Sequence, residues 1–89
     1  ISLELPTILA RLADGARTLH ADGATVGDAI RDVAHRFPEL GTRLVDAEGR
    51  TYPYVAFYLN DEDIRFSNGL ETAVRDGDEL TVVSAVAGG

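Results

Sequence analysis

A stripe of apolar residues in the middle of the chain constrains the fold more than any other feature. Its members recur at i, i+3, i+4, i+7, i+8 and i+11, so they lie on one face of a single helix. Thr25 precedes the stripe as a suitable N-cap, Asp28 lies in the first turn near the positive end of the helix dipole, and Pro38 ends the run. The opposite face is charged, and we expect it to be solvated. The stripe consists of Val26, Ala29, Ile30, Val33, Ala34 and Phe37.

Strand-like segments precede this helix. Residues 1–5 alternate apolar and polar with a period of two until Pro6 interrupts them, which predicts a first strand. Asp14-Gly15 signals a turn within a long loop, and residues 16–21 predict a second strand that pairs with the first. The chain therefore opens with a predicted hairpin.

More strands follow the helix, after a polar stretch over residues 41–51 that we predict to be a loop. Residues 55–59 are β-branched and aromatic, which predicts a third strand, and a turn at residues 60–63 leads to a short strand over residues 64–66. The last two predicted elements are one helical turn with Leu70, Ala73 and Val74, and a strand over residues 79–83.

This order of elements predicts a two-layer α+β domain. One long helix between two groups of strands must lay its single apolar stripe across one face of the sheet. The arrangement is the β-grasp, with a mixed four- to five-stranded sheet and one main helix packed on one face. We assign residues 1–84 to this domain and expect residues 85–89 to form a flexible C-terminal tail.

The tail ends in Gly88-Gly89, which suits chemistry on the terminal carboxylate. Without a Cβ on either residue, the last peptide units can pass through a channel too narrow for a side chain. A frayed terminus is the simpler explanation, because chain ends are often disordered. The diglycine therefore needs support from the rest of the chain.

Composition excludes several classes of function. The 89 residues form one domain, there is no cysteine for a disulfide or thiol nucleophile, and the net charge of −7 opposes nucleic-acid and anionic membrane binding. No apolar run approaches the ~20 residues of a membrane span, so we expect a cytoplasmic protein. His20 and His35 lack zinc-ligand spacing, and residues 60–63 lack the pattern of a calcium loop, so we expect no metal.

Two segments carry a resemblance to a known family. Residues 77–80 (Gly-Asp-Glu-Leu) with the terminal Ala-Val-Ala-Gly-Gly, and residues 60–66 within the chain, resemble the ubiquitin-like sulfur carriers of the molybdopterin-synthase small-subunit and thiamin sulfur-carrier family. Within that family the chain looks most like the branch that supplies sulfur for cysteine synthesis.

The resemblance implies a role for the chain as a protein cosubstrate rather than an enzyme. An E1-like adenylyltransferase would use ATP and magnesium to activate the Gly89 carboxylate, and sulfur would then form a thiocarboxylate there. A sulfur-accepting biosynthetic enzyme would be the second partner. No cofactor would be bound by the chain itself, and we expect it to be a monomer when free.

Partner recognition needs more area than a tail provides, so we predict that the outer face of the sheet takes part. Strand alternation places Val83 and Tyr58 outward if Leu80 and Val82 point inward. The alternative is that Tyr58 covers the core and Val83 is an ordinary exposed residue. The predicted partner-binding residues are Tyr58, Val83, Ala85, Val86, Ala87 and Gly88, with Gly89 as the reactive residue.

Two other functions remain open from the sequence. A ubiquitin-like modifier shares the fold, the diglycine and the activating partner, but Gly89 would form an isopeptide bond with a target amine. A plain β-grasp interaction domain would bind its partner without using Gly88-Gly89. The chain contains no lysine, so it cannot build lysine-linked chains with itself.

Overall fold

A computed structural model of the chain describes residues 1–84. Its strands are β1 (Ser2–Glu4), β2 (Thr18–His20), β3 (Val55–Leu59), β4 (Glu62–Asp63) and β5 (Glu79–Ser84). Its α-helices are α1 (Thr7–Ala10), α2 (Val26–Arg36) and α3 (Pro38–Leu44). Short 3-10 helices occupy Arg11–Ala13, Ile64–Phe66 and Gly69–Glu71.

The five strands form one mixed sheet in the order β2-β1-β5-β3-β4. The strand β5 lies at the centre, parallel to β1 and antiparallel to β3. Leu3 lies opposite Leu80 in the parallel pair, and Phe57 lies opposite Val82 in the antiparallel pair. The side-by-side placement of the first and last strands, with helices on one face, confirms the predicted β-grasp. The predicted opening hairpin is also present as the antiparallel pair β1 and β2.

The helix α2 covers the inner face of the sheet as its apolar pattern predicts. The Thr25 hydroxyl accepts a hydrogen bond from the Asp28 N–H at 3.1 Å, which caps the helix. Burying one such apolar side chain stabilises the fold by about 1.5–3 kcal/mol. The stripe joins the inward residues of the sheet in one core, whose main members are Leu3, Phe57, Leu80, Val82, Val26, Ala29, Ile30 and Val33.

The prediction of a loop from residue 41 is wrong for its first four residues. The helix α2 does end at Arg36, but Pro38 then begins α3, which continues to Leu44. Proline has no N–H to lose at the first position of a helix, so it stops one helix and starts the next. Leu40 and Leu44 of α3 are fully buried in the same core as α2.

Three other local predictions also need correction. The long loop after β1 contains α1 and a 3-10 turn. The short strand predicted at residues 64–66 lies instead at Glu62–Asp63, because the Asp63 carboxylate accepts the Arg65 N–H at 2.9 Å and caps a 3-10 turn. The helical turn predicted around Leu70 covers Gly69–Glu71 only, while Ala73 forms a β-bridge with Thr25.

Gly41 sets how closely α3 approaches α2. A Cβ placed on Gly41 would lie 2.5 Å from the Ala34 Cβ and 3.0 Å from the Ala34 Cα. Replacing glycine by alanine inside a helix ordinarily stabilises it by about 1 kcal/mol. We expect Gly41→Ala to destabilise the fold instead, because the two helices must move apart to admit the methyl group. Urea unfolding measures this, with Arg43→Ala on the exposed side of α3 as control; a rise in the free energy of unfolding of Gly41→Ala would contradict the close contact.

Candidate functional site

The candidate site begins where the central strand β5 ends. Glu79 to Thr81 pair with β1, and Leu80 to Ser84 pair with β3, where Ser84 lies opposite Val55. Ser84, the last described residue, is therefore held by the sheet at a fixed position. The predicted tail and its site residues, Ala85, Val86, Ala87, Gly88 and Gly89, lie outside the described residues.

Asn60 fixes the start of β5. Its side-chain oxygen accepts the Glu79 N–H at 3.0 Å, its amide nitrogen donates to an Asp78 carboxylate oxygen at 3.0 Å, and its own N–H donates to the Glu79 carbonyl at 2.8 Å. The hydrogen bond from Asn60, followed by one from the Arg75 N–H, lowers the pKa of Asp78. Asn60 thus ties the hairpin turn between β3 and β4 to the strand that leads to the tail. Sequence analysis predicted the turn at residues 60–63 but not this role of Asn60. In the turn, Asn60 and Asp61 have positive φ angles of 50° and 73°.

The outer face of the sheet carries the two described residues predicted to bind a partner. Leu80 and Val82 are buried, whereas Val83 is 44% exposed and Tyr58 is half-buried. Tyr58 lies opposite Thr81, and Ala56 lies opposite Val83. Tyr58 and Val83 are therefore diagonal neighbours on the face that points away from α2, and Val83 immediately precedes Ser84, the last described residue.

An ion pair lies beside Tyr58 on this face. Tyr58 is paired with Asp63 in the β3–β4 hairpin. The Arg65 guanidinium donates to both Asp63 carboxylate oxygens, from Nη2 at 2.7 Å and from Nε at 3.1 Å and 3.2 Å. Hydrogen bonds from the Arg65 side chain, and then from its N–H, lower the pKa of Asp63, and the same pair raises the pKa of Arg65. The pair therefore places a carboxylate and a guanidinium, whose charges offset each other, beside Tyr58.

The Asp63–Arg65 pair makes a prediction about acid stability. Because the pKa of Asp63 in the folded chain lies below its usual 3.8, the pair stabilises the fold above that value and is lost as the pH falls through the lower, folded pKa. We expect Asp63→Asn to lose less stability than the wild type between about pH 5 and about pH 2. Thermal unfolding across this range measures the difference, with Asp61→Asn in the same turn as control. If the unfolding temperatures of the wild type and of Asp63→Asn fell equally with pH, the prediction would be contradicted.

Few other groups among the described residues could bind a metal or take part in a reaction. Within residues 1–84, no three His, Asp or Glu side chains come together as a metal site would require. His20 is exposed and lies 2.9 Å from the Asp22 carboxylate. No helix in this part of the chain is long and apolar enough to cross a membrane. The outer face and the exit of β5 are therefore the candidate site.

The strand order and the one-sided helical layer define the chain as a ubiquitin-like β-grasp protein. The model of the ThiS family matches residues 3–89, and the chain belongs to this family.

Individual relatives are similar to this chain over at least 99% of its length. The chain is 41% identical to sulfur carrier protein CysO of Mycobacterium tuberculosis, over 100% of this chain and 98% of that protein. It matches the crystal structure of the Amycolatopsis orientalis BexX/CysO complex with a TM-score of 0.90 and 45% identity, covering 99% of this chain and 98% of the matched chain. It also matches SAMP1 of Haloferax volcanii with a TM-score of 0.83 and 33% identity, covering 99% and 97% of the two chains. The predicted resemblance to ubiquitin-like sulfur carriers, and to the cysteine-synthesis branch among them, is confirmed.

Proposed function

We propose that this chain is a sulfur carrier whose Gly89 carboxylate is adenylated by an E1-like enzyme and converted to a thiocarboxylate. The observation that carries the proposal is full-length similarity to sulfur carrier protein CysO, within a family match that extends through the diglycine to residue 89. The fold supports it, since β1 pairs with Glu79–Thr81 of β5 and β3 pairs with Leu80–Ser84, which holds the strand up to five residues before Gly89.

The chemistry requires activation before sulfur is added. A terminal carboxylate has a pKa of about 3.3–3.7, so it is ionised at neutral pH and is a poor electrophile. A Gly89 carboxylate oxygen attacks the α-phosphorus of ATP and pyrophosphate leaves, which gives an acyl-adenylate. Sulfide then attacks the Gly89 carbonyl carbon, the bond to the AMP oxygen breaks, and a thiocarboxylate remains. ATP and magnesium belong to the activating enzyme in this scheme.

The chain acts as a cosubstrate of at least two partners. One is the E1-like adenylyltransferase, and the other is a biosynthetic enzyme that accepts the sulfur. The matched CysO of Amycolatopsis orientalis was solved as a complex with BexX, so a close relative does assemble with another protein. The product of the sulfur-accepting step is cysteine or another sulfur-containing metabolite.

Partner binding uses the face with Tyr58 and Val83, together with the tail residues Ala85 to Gly88. We expect Val83→Asp to weaken carrier binding by about tenfold, which corresponds to about 1.4 kcal/mol, because a buried carboxylate at an apolar contact must lose its water. The KM for the carrier in the activation reaction should rise while kcat changes little.

Ile8→Asp is the matched control for Val83→Asp. Ile8 is also an exposed apolar residue, at 48% exposure, but it lies in α1 rather than on a strand of the outer face. If both variants raised the KM equally, the effect would come from added negative charge and the predicted face would be wrong.

Intact mass spectrometry tests the function directly. The chain is incubated with an E1-like enzyme from the same pathway, ATP, magnesium and sulfide. Exchange of one oxygen for sulfur at the activated carboxylate adds about 16 Da, and fragmentation should place the gain on Gly89. A chain that is adenylated but never gains this mass would refute the carrier function.

A protein modifier is the second candidate, because SAMP1, a small archaeal modifier protein, is among the relatives. In that case the activated Gly89 would be attacked by an amine of a target protein. The same mass experiment with added cell extract separates the two functions. Adducts through Gly89 on other proteins would favour the modifier, whereas a free thiocarboxylate that persists until an acceptor enzyme is added would favour the carrier.

A further inference from the structure

Tyr54 is an exposed aromatic residue at the place where the described chain ends. It directly precedes Val55, the first residue of β3, and Val55 lies opposite Ser84 at the end of β5. The Tyr54 side chain is well exposed, at 46%. A partner that takes up residues 85–89 must therefore come close to this ring.

A tight turn holds the backbone at Tyr54. The Val55 N–H donates to the Tyr52 carbonyl at 3.1 Å, which closes a four-residue turn with Pro53 and Tyr54 at its centre. Proline fixes its own φ angle and suits the first central position of such a turn. The residue before the turn pairs with Val45 in an isolated β-bridge. The turn is therefore anchored on both sides, by this bridge and by β3.

The Tyr54 ring packs against the ring of Tyr52. The two ring centroids are 5.2 Å apart and the ring planes differ by 11°, so the rings are stacked. The Tyr52 hydroxyl donates to the Thr42 carbonyl at 2.7 Å, which ties this ring to α3. Tyr52 is half-buried and also packs against the core. A fixed neighbour thus covers one face of the Tyr54 ring, and the opposite face is left for a partner.

A rigid, exposed aromatic ring is a favourable contact for a protein partner. Tyrosine is among the residues that contribute most to binding energy at interfaces. An exposed side chain normally loses rotamer freedom when a partner binds to it. The turn and the stacked ring already restrict Tyr54 in the free chain, so binding to it loses less entropy. Phe66, by contrast, is 83% exposed and has no stacked aromatic neighbour within residues 1–84.

Charge narrows the chemistry of the partner group. Glu48 and Arg50, just before the turn in sequence, form an ion pair at 3.9 Å, so their charges offset each other. Arg65 lines a cleft that the turn also lines, and its charge is offset by Asp63. The net charge of −7 then sets the sign of the field, which attracts a cation. The face of a tyrosine ring attracts cations through its π electrons, and the cation is more often arginine than lysine.

We propose that Tyr54 binds an arginine side chain of the E1-like activating enzyme, whose guanidinium stacks on the ring face opposite Tyr52. This inference rests on the proposed carrier function and deepens it, because it names the chemistry of one contact with that partner. The contact lies beside the end of β5 and adds to the face with Tyr58 and Val83. Tyr54 binds the partner in this scheme and takes no part in the reaction at Gly89.

Isothermal titration calorimetry of the full chain with the E1-like enzyme, without ATP, tests this contact. We expect Tyr54→Leu to raise the Kd about tenfold, because leucine is apolar but has no π electrons, and Tyr54→Phe to stay within about twofold. Phe66→Leu is the matched control, since it removes an exposed ring elsewhere, and it should leave the Kd unchanged. In the activation reaction, Tyr54→Leu should raise the KM while kcat changes little.

Fluorinated phenylalanines at position 54 distinguish a cation from a merely apolar contact. Each added fluorine withdraws electron density from the ring face, which weakens its attraction for a cation while the ring keeps its shape. We expect the Kd to rise stepwise from phenylalanine to trifluorophenylalanine. The series keeps a ring beside Tyr52, so it also decides the question if Tyr54→Leu disturbs the turn.

Three results would overturn the proposal: equal Kd values across the fluorinated series, equal Kd values for the wild type and Tyr54→Leu, or no binding of the chain to the enzyme. The carrier function is judged separately, by the gain of mass at Gly89. A wild-type chain that binds the enzyme through Tyr54 but never gains this mass would refute the carrier function and leave the contact in place.

Discussion

Deletion of Gly88 and Gly89 is expected to abolish sulfur loading while leaving the free energy of unfolding unchanged. The reacting carboxylate would move to Ala87, two residues nearer to the sheet and on a residue with a side chain. A Cβ restricts the backbone and widens the segment that must enter the activating enzyme. A misplacement of about 1 Å at a reacting centre already costs about a hundredfold in rate, and two residues shift the carboxylate by about 7 Å.

The measurement is the rate of pyrophosphate release with the E1-like enzyme, together with urea unfolding of both chains. Gly15→Ser is a control in a turn far along the chain from the tail, at a position where a side chain meets nothing within 4 Å. Gly15 has a φ of +85°, so this control should lower stability slightly without affecting activation. Normal activation of the shortened chain would show that the diglycine is not what the activating enzyme recognises, and would contradict the role given to Gly88 and Gly89.

Leu80→Ala is expected to produce the largest loss of stability, about 2–5 kcal/mol. Leu80 is fully buried on the central strand and lies opposite Leu3 on one side and Leu59 on the other. Truncation leaves a cavity between the two halves of the sheet, which the pairing on both sides prevents from closing. Since small domains have only about 5–15 kcal/mol in total, the variant should be partly unfolded at moderate temperature.

Val83→Ala is the matched control, because it lies on the same strand but faces outward. Its effect on the free energy of unfolding should stay within about 0.5 kcal/mol, as for most surface substitutions. Urea unfolding followed by circular dichroism measures both variants. Similar losses for Leu80→Ala and Val83→Ala would mean that the alternation of β5 is assigned to the wrong faces.

The features that follow from local chemistry can be predicted from the sequence. The spacing of Val26, Ala29, Ile30 and Val33 admits only one helix face, and Thr25 caps that helix as its residue type predicts. Alternation along β5 gives the inward and outward sides correctly for Leu80 and Val83. These predictions succeed because helix and strand periods are fixed by backbone geometry.

The features that depend on distant contacts were not predicted. Pro38 ends a helical pattern equally well whether a loop or a second helix follows, and the burial of Leu40 and Leu44 decides between them. The link between Asn60 and Asp78 joins residues on separate turns, so no local pattern reveals it. The strand β4 ends at Asp63 because the Asp63 carboxylate caps the 3-10 turn that follows, and the alternation of residues 64–66 does not reveal this cap.

The central position of β5 also has a consequence for how the chain folds. Every other described element precedes β5 in the sequence, yet β1 and β3 are joined only through it. Until β5 has left the ribosome, the two halves of the sheet have no shared strand, and the long-range pairing that completes the domain must wait. The sheet is therefore completed only once its last strand in the sequence, β5, has been synthesised.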